Sequence, residues 1–94
     1  MYIKYTILYD YYGKLLTDKQ QKYFEDYYFD NLSLQEIADN YQVSRNAIHN
    51  SLKDILAKLD NYEAKLHMVE NHKKIMKLIE NVDNDIKEQI KELI

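Results

Sequence analysis

The stretch SLQEIADNYQVSRNAIHNSL, Ser33 to Leu52, decides the fold of this chain. It predicts two helices joined by a tight turn. Ser33 is an N-cap residue, and Glu36 three positions on completes an S-x-x-E capping box. Leu34, Ile37, Ala38 and Tyr41 then recur at i, i+3, i+4 and i+7, which is one stripe of a helix. Ser44 caps a second helix whose inward stripe is Ala47, Ile48, Leu52 and Ile55. Val43 lies in the turn, where an apolar side chain plugs the gap between the two. Two helices set at a steep angle by a short turn make a helix-turn-helix.

The second helix carries a polar face opposite that stripe. Asn46, His49, Asn50 and Lys53 fall at i, i+3, i+4 and i+7, with Arg45 beside them in the first turn and Ser44 at the cap. Side chains of these types hydrogen-bond to base edges and phosphates, so these six are the candidate nucleic-acid-binding residues. A solvated face is the alternative, since every amphipathic helix has one.

Charge bears on the same helix. The formal net charge is -3 and the pI about 5.5, whereas nucleic-acid-binding domains are characteristically basic. Residues 1–43 carry four Lys and seven acids, while residues 44–53 carry Arg45 and Lys53 and no acid. The acid-free window is therefore the one a helix-turn-helix presents. Its basic patch is thin and each phosphate contact adds to affinity, so an isolated monomer is expected to bind duplex DNA weakly.

Outward from this stretch the chain continues to read as helix. Residues 2–12 predict a first helix stopped by Gly13 acting as a left-handed cap, with Ile3, Ile7 and Tyr11 along one side and Leu8 and Tyr12 near it. Its tyrosines are expected in the core, because a base-stacking platform needs aromatics flanked by Lys or Arg. Thr17 and Gln20 form another capping box for a helix to about Tyr28, whose apolar face is Tyr23, Phe24, Tyr27 and Tyr28. Asp30 and Asn31 make the next turn, and Leu32 is placed for a hydrophobic staple against Ile37.

Beyond Leu52 the apolar pattern runs on. Ile55, Leu59, Tyr62, Leu66 and Val69 keep a 4-3 spacing, a heptad seam, and Lys73 interrupts it. With no Gly or Pro in the way, one helix is expected from Arg45 to about Glu80, with a bend near His72 as the variant. Some 36 residues would span ~54 Å, too long for three short helices to cover. A helix that folds back on its own domain is the alternative; on grounds of length, the favoured partner is a second copy, through Leu59, Tyr62, Leu66, Val69, Met76 and Ile79. Residues 1–67 are thus read as a helix-turn-helix domain and residues 68–94 as a C-terminal helical extension and dimerisation segment of the same folding unit. Asn81 to Asp85 form a turn or cap cluster, and Ile86, Ile90, Leu93 and Ile94 a final amphipathic stripe.

Composition narrows the function classes. One Gly and no Pro leave few helix breakers, which favours an all-α fold. A single Gly cannot build a Gly-rich phosphate loop, and no Cys means no thiolate ligand, nucleophile or disulfide. His67 and His72 are five apart, not the three or four that place ligands on one helix face. No enzyme, metal, cofactor or small-molecule substrate is expected. The opening MYIKYTILYDYYGKLL lacks a signal-peptide pattern and no run is long enough to span a membrane, so the expected location is the cytoplasm.

The helix-turn-helix segment resembles that of bacterial sigma-factor region 4. Three separated pieces, YYGKLLTDKQ, YYFDNLSLQEIA and VSRNAI, extend the likeness to roughly residues 5–67 and resemble the YlxM family in order and spacing. The resemblance implies an all-α, sigma-region-4-like fold. YlxM proteins are small bacterial proteins usually encoded beside the signal recognition particle protein gene. Gene neighbourhood implies a regulatory or accessory role in that pathway, with the particle's protein or RNA as partner. Two departures stand out: relatives commonly have Gly where this chain has Gln42, and consecutive basic residues where it has Lys53 followed by Asp54. Two function classes follow. One is an accessory factor of the particle, the other a dimeric DNA-binding regulator with its second helix in the major groove.

Overall fold

The structure, a computed structural model, describes residues 2–94 and is helical throughout. Helix α1 (Tyr2–Tyr12) is followed by a 3-10 turn (Gly13–Leu15), then by α2 (Asp18–Tyr28), α3 (Leu34–Tyr41), α4 (Arg45–Leu66), α5 (Met68–Leu78) and α6 (Asn84–Leu93). No helix among the described residues is long and apolar enough to cross a membrane.

The expected caps are present. Thr17 Oγ1 accepts from Gln20 N–H at 3.1 Å while Gln20 Oε1 accepts from Thr17 N–H at 3.0 Å. Ser33 and Glu36 close the same reciprocal pair, which satisfies two orphan donors of α3 at once. Asn31 and Gln42 both take the left-handed conformation, each at φ 56°. At Gln42 this stops α3 and lets Val43 N–H reach Ala38 C=O at 3.0 Å; a side chain there costs roughly 1 kcal/mol relative to Gly. Leu32 packs on the core that holds the fully buried Ile37.

Helix α4 is the spine, with α1, α2 and α3 all packed on it. Ile48, Leu52, Ile55 and Leu59 are its buried stripe. They meet Phe24 of α2, Ile37 and Ala38 of α3, and Leu8 and Tyr12 of α1 in one core. Burying each large apolar side chain contributes roughly 1.5–3 kcal/mol.

Three expectations are corrected. First, Ile3 and Ile7 do not face the core: Ile3 is 73% exposed, and Leu8 and Tyr12 are buried with Tyr5 and Tyr9 beside them. The inward face is chosen by tyrosines whose hydroxyls reach carboxylates on α4 and α2. An aliphatic stripe alone does not reveal that. Second, Gly13 is not left-handed. It opens the 3-10 turn, and a Cβ there would meet the Tyr9 ring at 2.9 Å. Its missing side chain lets that ring, stacked on Phe24 at 4.3 Å, lie against the backbone.

Third, the long helix ends at Leu66. His67, at φ 54°, breaks it five residues before His72, and α5 folds back on α1 instead of continuing to Glu80. Nothing local forces this bend; side chains hold it. The Glu63 carboxylate accepts from the N–H groups of Val69 and Glu70, both at 3.1 Å, and the Tyr12 hydroxyl accepts from Met68 N–H at 3.0 Å. Orphan donors of the new helix are thereby satisfied from elsewhere in the fold. Beyond Ile79, Asp83 caps α6 by accepting from Asp85 N–H. The whole measures 54 × 24 × 22 Å.

Candidate nucleic-acid interface

The turn at Gln42 and Val43 delivers Ser44, whose hydroxyl oxygen accepts from Ala47 N–H at 3.0 Å and starts α4. Ser44 is therefore committed to the cap. With Ile48, Leu52 and Ile55 buried, the helical period turns Arg45, Asn46, His49, Asn50 and Lys53 outward, and all five are exposed. Among the described residues none of the five makes an internal hydrogen bond or ion pair. Polar groups with no internal partner on a rigid helix are free to bind without first breaking a contact.

A feature invisible in the sequence adjoins this face. Tyr27, Tyr28, Leu56, His49 and Lys53 help line a cavity of about 230 Å³ between α2 and α4. A neighbouring cavity of about 410 Å³ shares Tyr27 and Tyr28 and adds Asn31 and Leu32. Among the described residues, no carboxylate lines either. Three other surface cavities are lined by carboxylates, those of Asp54, of Asp10 and Glu25, and of Glu80. On a chain of net charge -3, carboxylates are thus kept off the aromatic hollow beside α4. Helical spacing puts Tyr27 and Tyr28 on an apolar face of α2, and no spacing rule places them next to Lys53.

Elsewhere, tyrosines and carboxylates pair: Tyr5 with Asp60, Tyr9 with Glu25, Tyr12 with Glu63 and Tyr41 with Asp26. Burial, reinforced by the carboxylate each one meets, pushes all four phenols above their ordinary value. Burial works against ionisation of Glu63 as well, but hydrogen bonds from Tyr12, Val69 and Glu70 outweigh it and hold its carboxyl below the usual carboxylate value. These acids serve the frame and leave the α4 face alone.

The residues expected at a dimer seam fall differently. Leu59 and Ile79 are buried within the chain itself. Tyr62, Val69 and Met76 are half-buried, and Tyr62 packs at 6.0 Å from the Tyr12 ring. Leu66, at 50% exposed, is the one that stands open. In the bent conformation α5 and α1 occupy the ground where the seam was expected to meet a second copy.

The family model described as UPF0122, "Putative helix-turn-helix protein, YlxM / p13 like", matches residues 2–94, so the likeness runs well past residue 67. A UPF0122 protein of Caldanaerobacter subterraneus subsp. tengcongensis is 46% identical over 77 residues, 82% of this chain and 66% of its own length. One of Oceanobacillus iheyensis is 40% identical over 91 residues, covering 92% and 87%. One of Malacoplasma penetrans is 46% identical over 90 residues, covering 93% and 82%. On these matches, and on the helix-turn-helix they share with the geometry above, the chain belongs to the UPF0122 family of YlxM/p13-like helix-turn-helix proteins.

Proposed function

We propose that this is a regulatory helix-turn-helix protein whose working surface is the outer face of α4, and that it acts as an accessory factor in the signal recognition particle pathway by binding the particle's protein or RNA. The observation that carries the choice of surface is the set of five exposed polar side chains, Arg45 to Lys53, without hydrogen-bond or ion-pair partners among the described residues and without an acid among them. The pathway rests on the family likeness and the gene neighbourhood that goes with it. Two fixed cations favour a partner that supplies shape and apolar contact over one gripped by phosphates alone, because duplex binding draws most of its strength from many phosphate contacts.

A second function is favoured by the helix-turn-helix itself, which leaves the outer face of the first turns of α4 exposed, as a major-groove reader requires. It makes the protein a dimeric DNA-binding regulator whose two α4 helices lie about 34 Å apart, one duplex turn.

A pulldown from bacterial lysate, with and without nuclease, compares the natural chain with Arg45→Ala/Lys53→Ala. Enrichment of the signal recognition particle protein or RNA, lost in the double variant, supports the accessory role. Sensitivity to nuclease assigns the contact to RNA and resistance assigns it to protein. Recovery of DNA fragments alone, lost in the double variant, replaces the accessory role with the DNA-binding one.

A further inference from the structure

The elbow between α4 and α5 is made by a residue poorly suited to it. His67 is left-handed at φ 54°, a conformation that β-carbon sterics disfavour. Neither Gly nor Pro stands near: Ala64 to Asn71 reads AKLHMVEN, a sequence able to continue as helix. The three donors that open α5, the N–H groups of Met68, Val69 and Glu70, are held by the Tyr12 hydroxyl and the Glu63 carboxylate. In an unbroken helix the same three would bond to the carbonyls of Ala64, Lys65 and Leu66. Straightening thus exchanges three hydrogen bonds for three and relieves His67. The 4-3 spacing of Ile55, Leu59, Tyr62, Leu66 and Val69 also passes through the elbow without a phase change. Leu66 and Met68, at 50% and 47% exposed, flank the bend with apolar surface that the bent chain leaves uncovered.

Straightening has one cost. It lifts α5 from α1, where His72 meets the Tyr11 ring edge-on at 6.0 Å and Val69 joins the core. A second copy supplies the same α5 to the same α1, so those contacts are restored in full by reciprocal exchange. No other occupant matches that surface by construction.

We propose that residues 68–94 form an arm exchanged between two copies of this chain: His67 straightens, α4 and α5 become one helix, and each α5 seats on the α1 of the other copy. The exposed Leu66, which lies on the 4-3 seam, then sits at the crossing of the two long helices. Each core is complete only with the partner's Val69 and His72.

His67 is exposed, so its substitution leaves the core intact, and the variants pull in opposite directions. His67→Gly and His67→Asn accept the left-handed bend and weaken the dimer; His67→Ala favours helix and tightens it. The expected spread in dimer dissociation constant between Gly and Ala is about tenfold or more. Sedimentation equilibrium of the full chain reads the constant. Spin labels at Asp54→Cys and Lys77→Cys, in a background with no natural Cys, read the shape, with labelled chains diluted into unlabelled ones. A straight helix sets the two positions about 35 Å apart at 1.5 Å per residue, and the bent chain holds them closer. The longer distance appearing with dimer supports exchange. A dimer that keeps the monomer's distance, a constant indifferent to Gly, Asn and Ala, or a His67→Ala chain that stays monomeric at millimolar concentration each overturns it.

Discussion

The fully buried Tyr12 donates its phenolic proton to the Glu63 carboxylate across 2.5 Å, and the same phenolic oxygen accepts the N–H of Met68 at 3.0 Å. One hydroxyl on the first helix thus ties the end of α4 to the start of α5. Tyr12→Phe removes both bonds and strands a donor at the elbow. Its cost is expected at roughly 1–3 kcal/mol. Glu63→Gln should cost a similar amount, and the double variant less than the sum, because the two side chains share one network. Urea unfolding of the four proteins measures the coupling, and a coupling near zero would show that the pair does not act together.

Acid should open the same elbow. The Glu63 carboxyl titrates below its ordinary value of 4.5 in the folded chain. A depressed folded value means the unfolded chain takes up the proton first. The stabilisation is therefore complete above about pH 4.5 and is lost as pH falls through the lower folded value. Hydrogen exchange at the Val69 and Glu70 amides, which Glu63 holds, follows the loss directly. Protection that persists unchanged to low pH, or an identical acid limb in Glu63→Gln, would refute the assignment.

Base acts through the tyrosines. Tyr5, Tyr9, Tyr12 and Tyr41 are pushed above the ordinary value of 10.0, first by burial and then by the carboxylates they meet. Their raised values leave stability intact below pH 10 and erode it as pH rises beyond, since the unfolded chain ionises earlier. In a phenolate absorbance titration Tyr5, Tyr9, Tyr12 and Tyr41 should ionise only as helicity disappears. If they ionised near pH 10 with the helix signal unchanged, the pairing would carry no stability.

Two backbone substitutions have opposite expected signs. Gln42→Gly relieves a left-handed side chain in the central turn and should stabilise by about 0.5–1 kcal/mol. Gly13→Ala drives a methyl group into the Tyr9 ring, which Phe24 and Glu25 keep from retreating, and should destabilise by about 1–3 kcal/mol. Thermal melts of the two variants beside the natural chain decide both.

Arg45→Ala and Lys53→Ala should leave stability within about 0.5 kcal/mol, because both side chains are exposed and neither hydrogen-bonds or ion-pairs with another of the described residues. Any loss of binding in these variants then belongs to the interface. A lowered melting temperature would instead give the two cations a structural part.

How much was legible in advance depended on the range of the interactions. The capping boxes at Thr17 and Ser33, the cap at Ser44 and the polar face from Arg45 to Lys53 all arise within a few residues. A helix start needs only its own first turn, and a helical period turns one face out once the other is buried. The likeness to YlxM proteins was visible for the same reason.

The elbow could not be read that way. Ala64 to Asn71 prefers helix, and the bend exists because Tyr12, 56 residues upstream of Met68, reaches its N–H while Glu63 folds over the next two. The inward face of α1 was likewise set by distant carboxylates such as Asp60. The aromatic hollow beside Lys53 arises where α2 lies across α4. By itself, the sequence determined that the chain is helical, how α2, α3 and α4 begin, and which side of α4 stays polar. The tertiary structure alone decided where α4 stops, which residues of the apolar seam are already covered, and what adjoins the α4 face, because each depends on a contact between residues far apart in the chain.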